Sequence, residues 1–92
     1  MALRKNDYIL CYDISDQKRL VKLARFLEKE AIRIQYSIFF LPDRTKEEIY
    51  QIADKIVDII DPNSDDVRIY KVEESSVVLG DAYDLDDIFI IK

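Results

Sequence analysis

The sequence predicts an α+β sandwich with the element order βαββαβ, in which two helices cover one face of a sheet. Three observations support this prediction. An apolar run near the start has the composition of a central strand, two later stretches space their apolar residues at helical intervals, and the segments between them alternate with a period of two. With 92 residues, 49% of them hydrophobic and 36% charged, the chain has the size and composition of one globular domain, residues 1–92.

The first strand is predicted at residues 8–13, where an apolar, aromatic-rich run without alternation suits a strand covered on both faces. It ends on Asp13, which places a carboxylate at the C-terminal end of the strand. Ser15 or Asp16 can cap the helix that follows, because a short side-chain oxygen satisfies free backbone N–H groups. This helix has an apolar stripe and a basic side. The stripe is Leu20, Leu23, Ala24, Leu27 and Ala31, and the basic side is Lys18, Arg19, Lys22, Arg25 and Lys29.

Residues 32–41 alternate with a period of two and predict two strands with a kink near Gln35. We assign the core side to the mainly apolar set and the outer side to the set that contains Arg33 and Phe39. Pro42, Asp43 and Arg44 are expected to end this strand pair. The mainly apolar set is Ile32, Ile34, Tyr36, Ile38 and Phe40, and the outer set is Arg33, Gln35, Ser37 and Phe39.

The second helix is predicted to begin at a capping box formed by Thr45 and Glu48 and to stop at Asp61 and Pro62. Residues 67–72 then alternate as another strand. The resulting order fits a ferredoxin-like sheet. Residues 73–92 follow as a tail with a short strand candidate, an acidic stretch at 81–87 and an apolar end at 88–91. Since an exposed apolar end would be a solubility liability, we expect this additional C-terminal β segment to join a sheet edge.

Composition excludes several classes of function. No apolar run approaches the 20 or so residues that span a bilayer, early charges argue against a signal peptide, and so we expect a cytoplasmic protein without a membrane partner. One Cys and no His exclude a disulfide framework, a cysteine zinc cluster and Ser–His or Cys–His nucleophiles. The net charge of -5 divides into +4 for residues 1–46 and -9 for residues 47–92. A local basic face can therefore hold nucleic acid, although ordinary solvated surface charge is the alternative.

Four blocks of the sequence resemble the CRISPR-associated Cas2 family, in order and at compatible spacing. They cover nearly the whole chain, and their agreement is more specific than any one block. The first is the Y-D-I-S-D-x-K-R opening at residues 12–19, and the second is R-I-Q-Y-S-I-F at 33–39. The third is D-V-R-I-Y at 66–70, and the fourth joins Leu79 and Gly80 to the D-D-I-F-I-I end at 86–91.

The resemblance implies a homodimer of ferredoxin-like subunits, in which each C-terminal strand, here within the tail 73–92, is added to the sheet of the partner. It also implies metal-dependent phosphodiesterase activity on RNA or on double-stranded DNA. In the family's other role, the dimer bridges the subunits of the CRISPR integrase and holds the DNA to be inserted during spacer acquisition. A non-catalytic scaffold is therefore the alternative to an endonuclease, and a regulatory ferredoxin-like domain or a toxin ribonuclease is a third hypothesis.

Asp13 is the candidate catalytic and metal-binding residue. A carboxylate at a strand end can coordinate Mg²⁺, or Mn²⁺, and a two-fold axis would supply a second Asp13. The residues alone leave open whether Asp13 only helps to cap the first helix, and the resemblance favours the metal role because the family's acid aligns there. As nucleic-acid contacts we predict phosphate binding by several polar side chains and base stacking by an aromatic ring. These residues are Ser15, Lys18, Arg19, Lys22, Arg33 and Phe39.

Overall fold

The computed structural model of the protein describes residues 4–72 and confirms the predicted order βαββαβ. The strands are β1 (Lys5–Asp13), β2 (Ile32–Gln35), β3 (Ile38–Thr45) and β4 (Asp66–Val72), and the helices are α1 (Gln17–Glu30) and α2 (Lys46–Val57). The predicted C-terminal β segment and dimer-exchange tail, residues 73–92, lie outside the described residues.

The four strands form one antiparallel sheet in the order β2-β3-β1-β4. β1 is a central strand, as predicted, because it pairs with β3 on one edge and with β4 on the other. Tyr8, Leu10 and Tyr12 point towards the two helices and form the main core with apolar residues of α1 and α2. Ile9 and Cys11 point to the other face of the sheet, called the open face below.

Both helices begin where their capping residues predict. Asp16 caps α1, because its carboxylate accepts the backbone N–H of Arg19 at 3.0 Å. The predicted capping box opens α2: the Thr45 hydroxyl accepts the Glu48 N–H at 3.1 Å, and the Glu48 carboxylate accepts the Thr45 N–H at 2.8 Å. The hydrogen bond from the Thr45 backbone lowers the pKa of Glu48 below its usual value. These local contacts determine the residue at which each helix begins after the preceding strand.

The prediction that Pro42, Asp43 and Arg44 end the strand pair is wrong, since β3 continues to Thr45. The pairing of β3 with β1 shifts by one residue opposite Asp7, which is a bulge. Asp43 takes a positive φ of 55° there, and its N–H donates to the Asp7 carboxylate at 2.8 Å. A proline is tolerated at this point because the pairing of β3 with β2 has already ended at Phe40.

The core side assigned to residues 32–41 is also corrected. The alternation exists, but Phe39 and Leu41 face the helices with no exposed surface, whereas Ile38 and Phe40 pack on the open face. The sheet carries apolar side chains on both faces, so alternation alone does not tell which face the helices cover. The predicted kink near Gln35 is a hairpin turn at residues 36–37, with a register shift just before it.

Candidate active site and basic surfaces

Asp13 lies at the end of β1 with its side chain exposed. Strand alternation places it on the open face, and it pairs directly with Asp66 of β4. The Asp66 carboxylate accepts a hydrogen bond from Arg68 Nε at 3.0 Å. Because Asp16 caps α1, the structure gives Asp13 no capping role. Two carboxylates and one guanidinium therefore meet at one end of the open face.

The loop after Asp13 is held by a carboxylate from a distant part of the sequence. Asp65 Oδ1 accepts the Ser15 N–H at 2.9 Å and the Ser15 hydroxyl at 3.0 Å. Arg19 donates through Nε to Oδ2 at 2.7 Å and through Nη2 to Oδ1 at 3.2 Å. The Asp61 N–H donates to Oδ2 at 2.8 Å. We call these four residues, Ser15, Arg19, Asp61 and Asp65, the Asp65 network.

The environment of Asp65 is that of a structural ion pair. Its side chain has no exposed surface, whereas the side chain of Arg19 is 29% exposed. The hydrogen bond from Arg19, followed by those from the backbone of Asp61 and Ser15, holds the pKa of Asp65 well below its usual range. The same contact with Asp65 raises the pKa of Arg19. Such charge-assisted hydrogen bonds are short and directional, so the network fixes the start of α1 against the loop before β4.

The sequence of that loop explains how Asp65 reaches its place. The Asp61 carboxylate accepts the Asn63 N–H at 3.0 Å and the Ser64 hydroxyl at 3.0 Å, and the Asp61 carbonyl accepts the Asp65 N–H at 2.8 Å. An aspartate that binds its own backbone two residues on is a common turn former. This compact turn, after α2, points Asp65 towards Ser15 and Arg19.

The predicted nucleic-acid contacts fall into two groups. Ser15 and Arg19 belong to the Asp65 network. Lys18 and Lys22 are exposed, and neither forms an ion pair within the described part of the chain. The structure thus separates cations that already have a protein partner from cations that face solvent. The assignment of all four to nucleic acid stays a prediction.

Arg33 is held at the edge of the sheet. Its guanidinium lies 5.0 Å from the ring centre of Phe39 and 6.0 Å from that of Tyr36, and Nη2 is 3.9 Å from the Glu28 carboxylate. Phe39 itself is fully buried and stacks on Tyr12 at 6.2 Å between ring centres. The expectation that Phe39 offers its ring to a base is therefore corrected: in this structure its ring is part of the core.

Sequence reasoning missed Tyr36, Asp65 and Asp66 as features of the site. The alternation places Tyr36 on the core side, whereas it lies in the hairpin turn with 72% of its surface exposed, beside Arg33. Asp65 accepts from residues 46 and 50 positions away, and no local pattern signals such a contact. Asp66 lies opposite Asp13 because β1 and β4 are antiparallel neighbours, and the pairing of these strands was not predicted from the sequence.

The donor set at Asp13 fits a hard cation in part. Mg²⁺ takes oxygen ligands, keeps several waters and is often held by only one or two carboxylates, which matches Asp13 and Asp66. Across residues 4–72 the structure brings together no group of three or more candidate metal ligands. Any metal held by one subunit would therefore need water or further ligands beyond this pair.

Cys11 is an unsuitable nucleophile, because burial raises the pKa of its thiol.

Comparison with known sequences now assigns the family. The family described as CRISPR associated protein Cas2 matches residues 6–78. The chain belongs to this family.

Named relatives and a solved structure agree with that assignment. The chain is 43% identical over 67 residues to CRISPR-associated endoribonuclease Cas2 1 of Nitrosomonas europaea, covering 71% of this chain and 61% of that protein, which is less than two thirds of its length. It is 39% identical over 71 residues to CRISPR-associated endoribonuclease Cas2 2 of Thermodesulfovibrio yellowstonii, covering 77% of each. A chain of a partial Cas6-RT-Cas1–Cas2 complex superposes with a TM-score of 0.71 at 28% identity, covering 85% of this chain and 83% of that one.

Neither of the two helices in residues 4–72 has the length and apolar character needed to cross a membrane.

Proposed function

We propose that this protein is a metal-dependent endonuclease of CRISPR spacer acquisition, which hydrolyses phosphodiester bonds of RNA or DNA with Asp13 as its catalytic carboxylate. One observation carries the proposal: Asp13 is exposed at a strand end, has no capping role, and pairs with a second carboxylate, Asp66. The name endoribonuclease of both relatives supports RNA as the first substrate to test.

In this proposal Asp13 and Asp66 hold Mg²⁺ or Mn²⁺ through oxygen ligands. When bound, a divalent cation of this kind supplies Lewis-acid stabilisation of the charge that develops on the phosphate. The chain contains no His, so its own side chains offer no base with an ordinary pKa near neutrality. The hydrogen bonds of the Asp65 network attach the loop after Asp13 to the loop before β4, and in this proposal they help to position the carboxylate for the substrate.

A symmetric homodimer is part of the proposal. Apolar side chains on the open face, on the same side of the sheet as Asp13, support it: Ile9 and Val72, with Cys11, Ile38 and Phe40 packed around them. Pairing two open faces about a two-fold axis would bring a second Asp13 towards the first. Exchange of the tail, residues 73–92, stays a prediction, and removal of residues 81–92 is expected to weaken the dimer at low micromolar concentration.

A second candidate function is a scaffold that bridges integrase subunits without cleaving nucleic acid. The observation that favours it is the likeness to a chain from a complex named for Cas1 and Cas2. In this case the integrase subunit is the partner, the dimer holds double-stranded DNA, and Asp13 has no role in hydrolysis.

The test is cleavage of end-labelled single-stranded RNA and duplex DNA by the wild type and by Asp13→Asn, with Mg²⁺ and with EDTA. Asn keeps the shape of Asp13 and removes its charge. Asp54→Asn is the matched control, because Asp54 is an exposed aspartate on α2, away from the open face. We expect cleavage by the wild type and the control only with metal. Cleavage in EDTA, or an active Asp13→Asn variant, would overturn the catalytic role, and no cleavage by any protein would favour the scaffold.

A further inference from the structure

Helix α1 carries a row of four cations that the Asp65 network does not use. Lys18, Lys22, Arg25 and Lys29 are spaced i, i+4, i+7 and i+11, so they lie within an arc of about 60° on the helix. All four side chains belong to exposed residues, and in residues 4–72 none of them is ion-paired. We call this set the α1 basic stripe.

The arrangement is unfavourable for the helix itself. Like charges three and four residues apart repel each other, and the stripe contains no acidic residue to offset them. The nearby Glu28 pairs with Arg33 instead. The protein as a whole carries a net charge of -5, so this concentration of positive charge runs against its overall balance. A row of unpaired cations under these conditions is suited to an anionic partner.

The stripe borders a groove between α1 and the segment that follows α2. Its lining consists of the four stripe residues together with the apolar side chains of Val21, Phe26 and Ile59. The lining has no side-chain hydrogen-bond acceptor and no polar group other than the cations. A surface whose polar side chains are all cationic donors is suited to regularly spaced negative charge.

We propose that the α1 basic stripe binds the phosphate backbone of a nucleic acid, lying along the helix axis and without sequence preference. The distance from Lys18 to Lys29 is about 16 Å along the axis, which spans about five phosphates of a duplex strand at 3.4 Å each. Flexible ammonium groups contact phosphates as point charges and do not need one fixed geometry. The inference rests on the proposed function, since it names the surface that would hold the substrate.

The geometry also distinguishes this surface from Arg19 and Arg33. Those two cations already contact Asp65 and Glu28, so recruiting them to a phosphate would break a protein contact. The sequence predicts nucleic-acid contacts at Lys18 and Lys22, and this proposal adds Arg25 and Lys29 to them. An acidic protein segment is the competing occupant, and the experiment is designed to recognise it.

The test measures binding by fluorescence anisotropy over a series of KCl concentrations, in EDTA and in an Asp13→Asn background that prevents cleavage. The stripe variant replaces all four cations by Ala, the best helix former, so we expect α1 to remain folded. The matched control replaces four exposed lysines elsewhere by Ala and loses the same charge. These lysines are Lys5, Lys46, Lys55 and Lys71. The probes are labelled single-stranded RNA, labelled duplex DNA and labelled polyglutamate.

For duplex DNA we expect the stripe variant to reduce the slope of log affinity against log salt by about 0.9 for each lost phosphate contact, or roughly 3 to 4 in all. For single-stranded RNA the expected loss is about 0.7 per contact, so the two slopes show which nucleic acid follows the stripe. The control should keep the wild-type slope. Circular dichroism of both variants serves as the check that they are folded.

Equal slope losses in the stripe variant and the control would mean a net-charge effect and would overturn the proposal. An unchanged slope in the stripe variant would overturn it as well, as would loss of polyglutamate binding with nucleic-acid binding retained. Failure of the catalytic proposal looks different: in that case the wild-type chain binds nucleic acid through the stripe but does not cleave it.

Discussion

Asp13 precedes the loop that leads into α1, and Asp65 binds that loop through Ser15. The two carboxylates have opposite environments. Asp65 has no exposed side-chain surface and accepts five hydrogen bonds, three of them from Ser15 and Arg19 side-chain atoms. Asp13 is exposed, and its neighbour across the sheet is another carboxylate. The charge of Asp65 is balanced within the fold, whereas the charge of Asp13 is available to a ligand from solvent.

Arg19 and Lys22 repeat this contrast one turn apart on α1. Arg19 completes the Asp65 network, and Lys22 belongs to the α1 basic stripe, without an ion pair in residues 4–72. Both residues look equivalent in the sequence. The difference between them comes from Asp65, whose carboxylate accepts hydrogen bonds from Arg19. The comparison teaches that residue type and spacing do not decide which charged side chains stabilise the fold and which are free to bind a ligand.

The largest expected effect concerns the metal dependence that we propose for Asp13. Removing Mg²⁺ with EDTA should lower the cleavage rate by at least about a hundredfold, and adding Mn²⁺ in excess of EDTA should restore the rate. Ca²⁺, which is larger and less strict in geometry, should restore it poorly. The measurement is initial cleavage rate at fixed protein concentration. Full activity with Ca²⁺ would show that the site does not demand the geometry we assign to it.

A smaller effect is expected from Asp65→Ala. The substitution removes the acceptor of the Ser15 N–H and the shortest ion pair of Arg19, which keeps its longer contacts with Asp16, Ser15 and Ser64. We expect the melting temperature to fall by several degrees. Asp66→Ala is the control, because Asp66 is exposed and, within residues 4–72, Arg68 is its only side-chain hydrogen-bond partner. Equal melting temperatures for the two variants would contradict the contrast between enclosed and exposed carboxylates.

Acid pH should remove the contribution of the Asp65 charge to the stability of the folded protein. Its pKa is lowered in the folded state, so its contribution to stability is complete above the unfolded pKa of about 4 and is lost as pH falls towards the folded pKa. The stability difference between the wild type and Asp65→Asn should therefore shrink below about pH 4. Urea unfolding at several pH values measures it. A difference that stays constant down to the lowest pH would show that charge is not what Asp65 contributes.

The smallest effect separates the neighbouring cations. Arg19→Ala should lower the melting temperature, whereas Lys22→Ala should leave it nearly unchanged, since an exposed helical Lys replaced by Ala loses little. Thermal unfolding followed by circular dichroism is sufficient. If Lys22→Ala destabilises the protein as much as Arg19→Ala, the division of α1 into a structural and a binding side is wrong.

Local patterns predicted most of the fold. The capping box at Thr45 and Glu48, the apolar stripe of α1 and the alternation of β4 depend on residues close in sequence. The face of Phe39 could not be predicted, because both sides of β3 are apolar. The continuation of β3 past Pro42 could not be predicted for a related reason, since only the pairing with β1 shows the bulge at this position.

The candidate site was predictable only where it depends on strand ends. Asp13 follows from the end of β1, which the sequence marks clearly. The partner of Arg19 lies 46 residues away, so no spacing rule reveals that this cation is occupied. The sequence predicts phosphate binding by Ser15 and Arg19 because it does not show that both already bind Asp65. Arguments from basic residues on a helix therefore need the ion pairs of the folded chain before they identify a binding surface.

The central claim is that Asp65 holds the loop and Asp13 acts beside it. The most direct measurement determines both the melting temperature and the cleavage rate for Asp13→Asn and Asp65→Asn, with rates taken at a temperature where each variant is fully folded. We predict that Asp13→Asn loses cleavage at an almost unchanged melting temperature, while Asp65→Asn loses several degrees. The result that would contradict the claim is an Asp13→Asn variant that melts as early as Asp65→Asn and still cleaves at the wild-type rate.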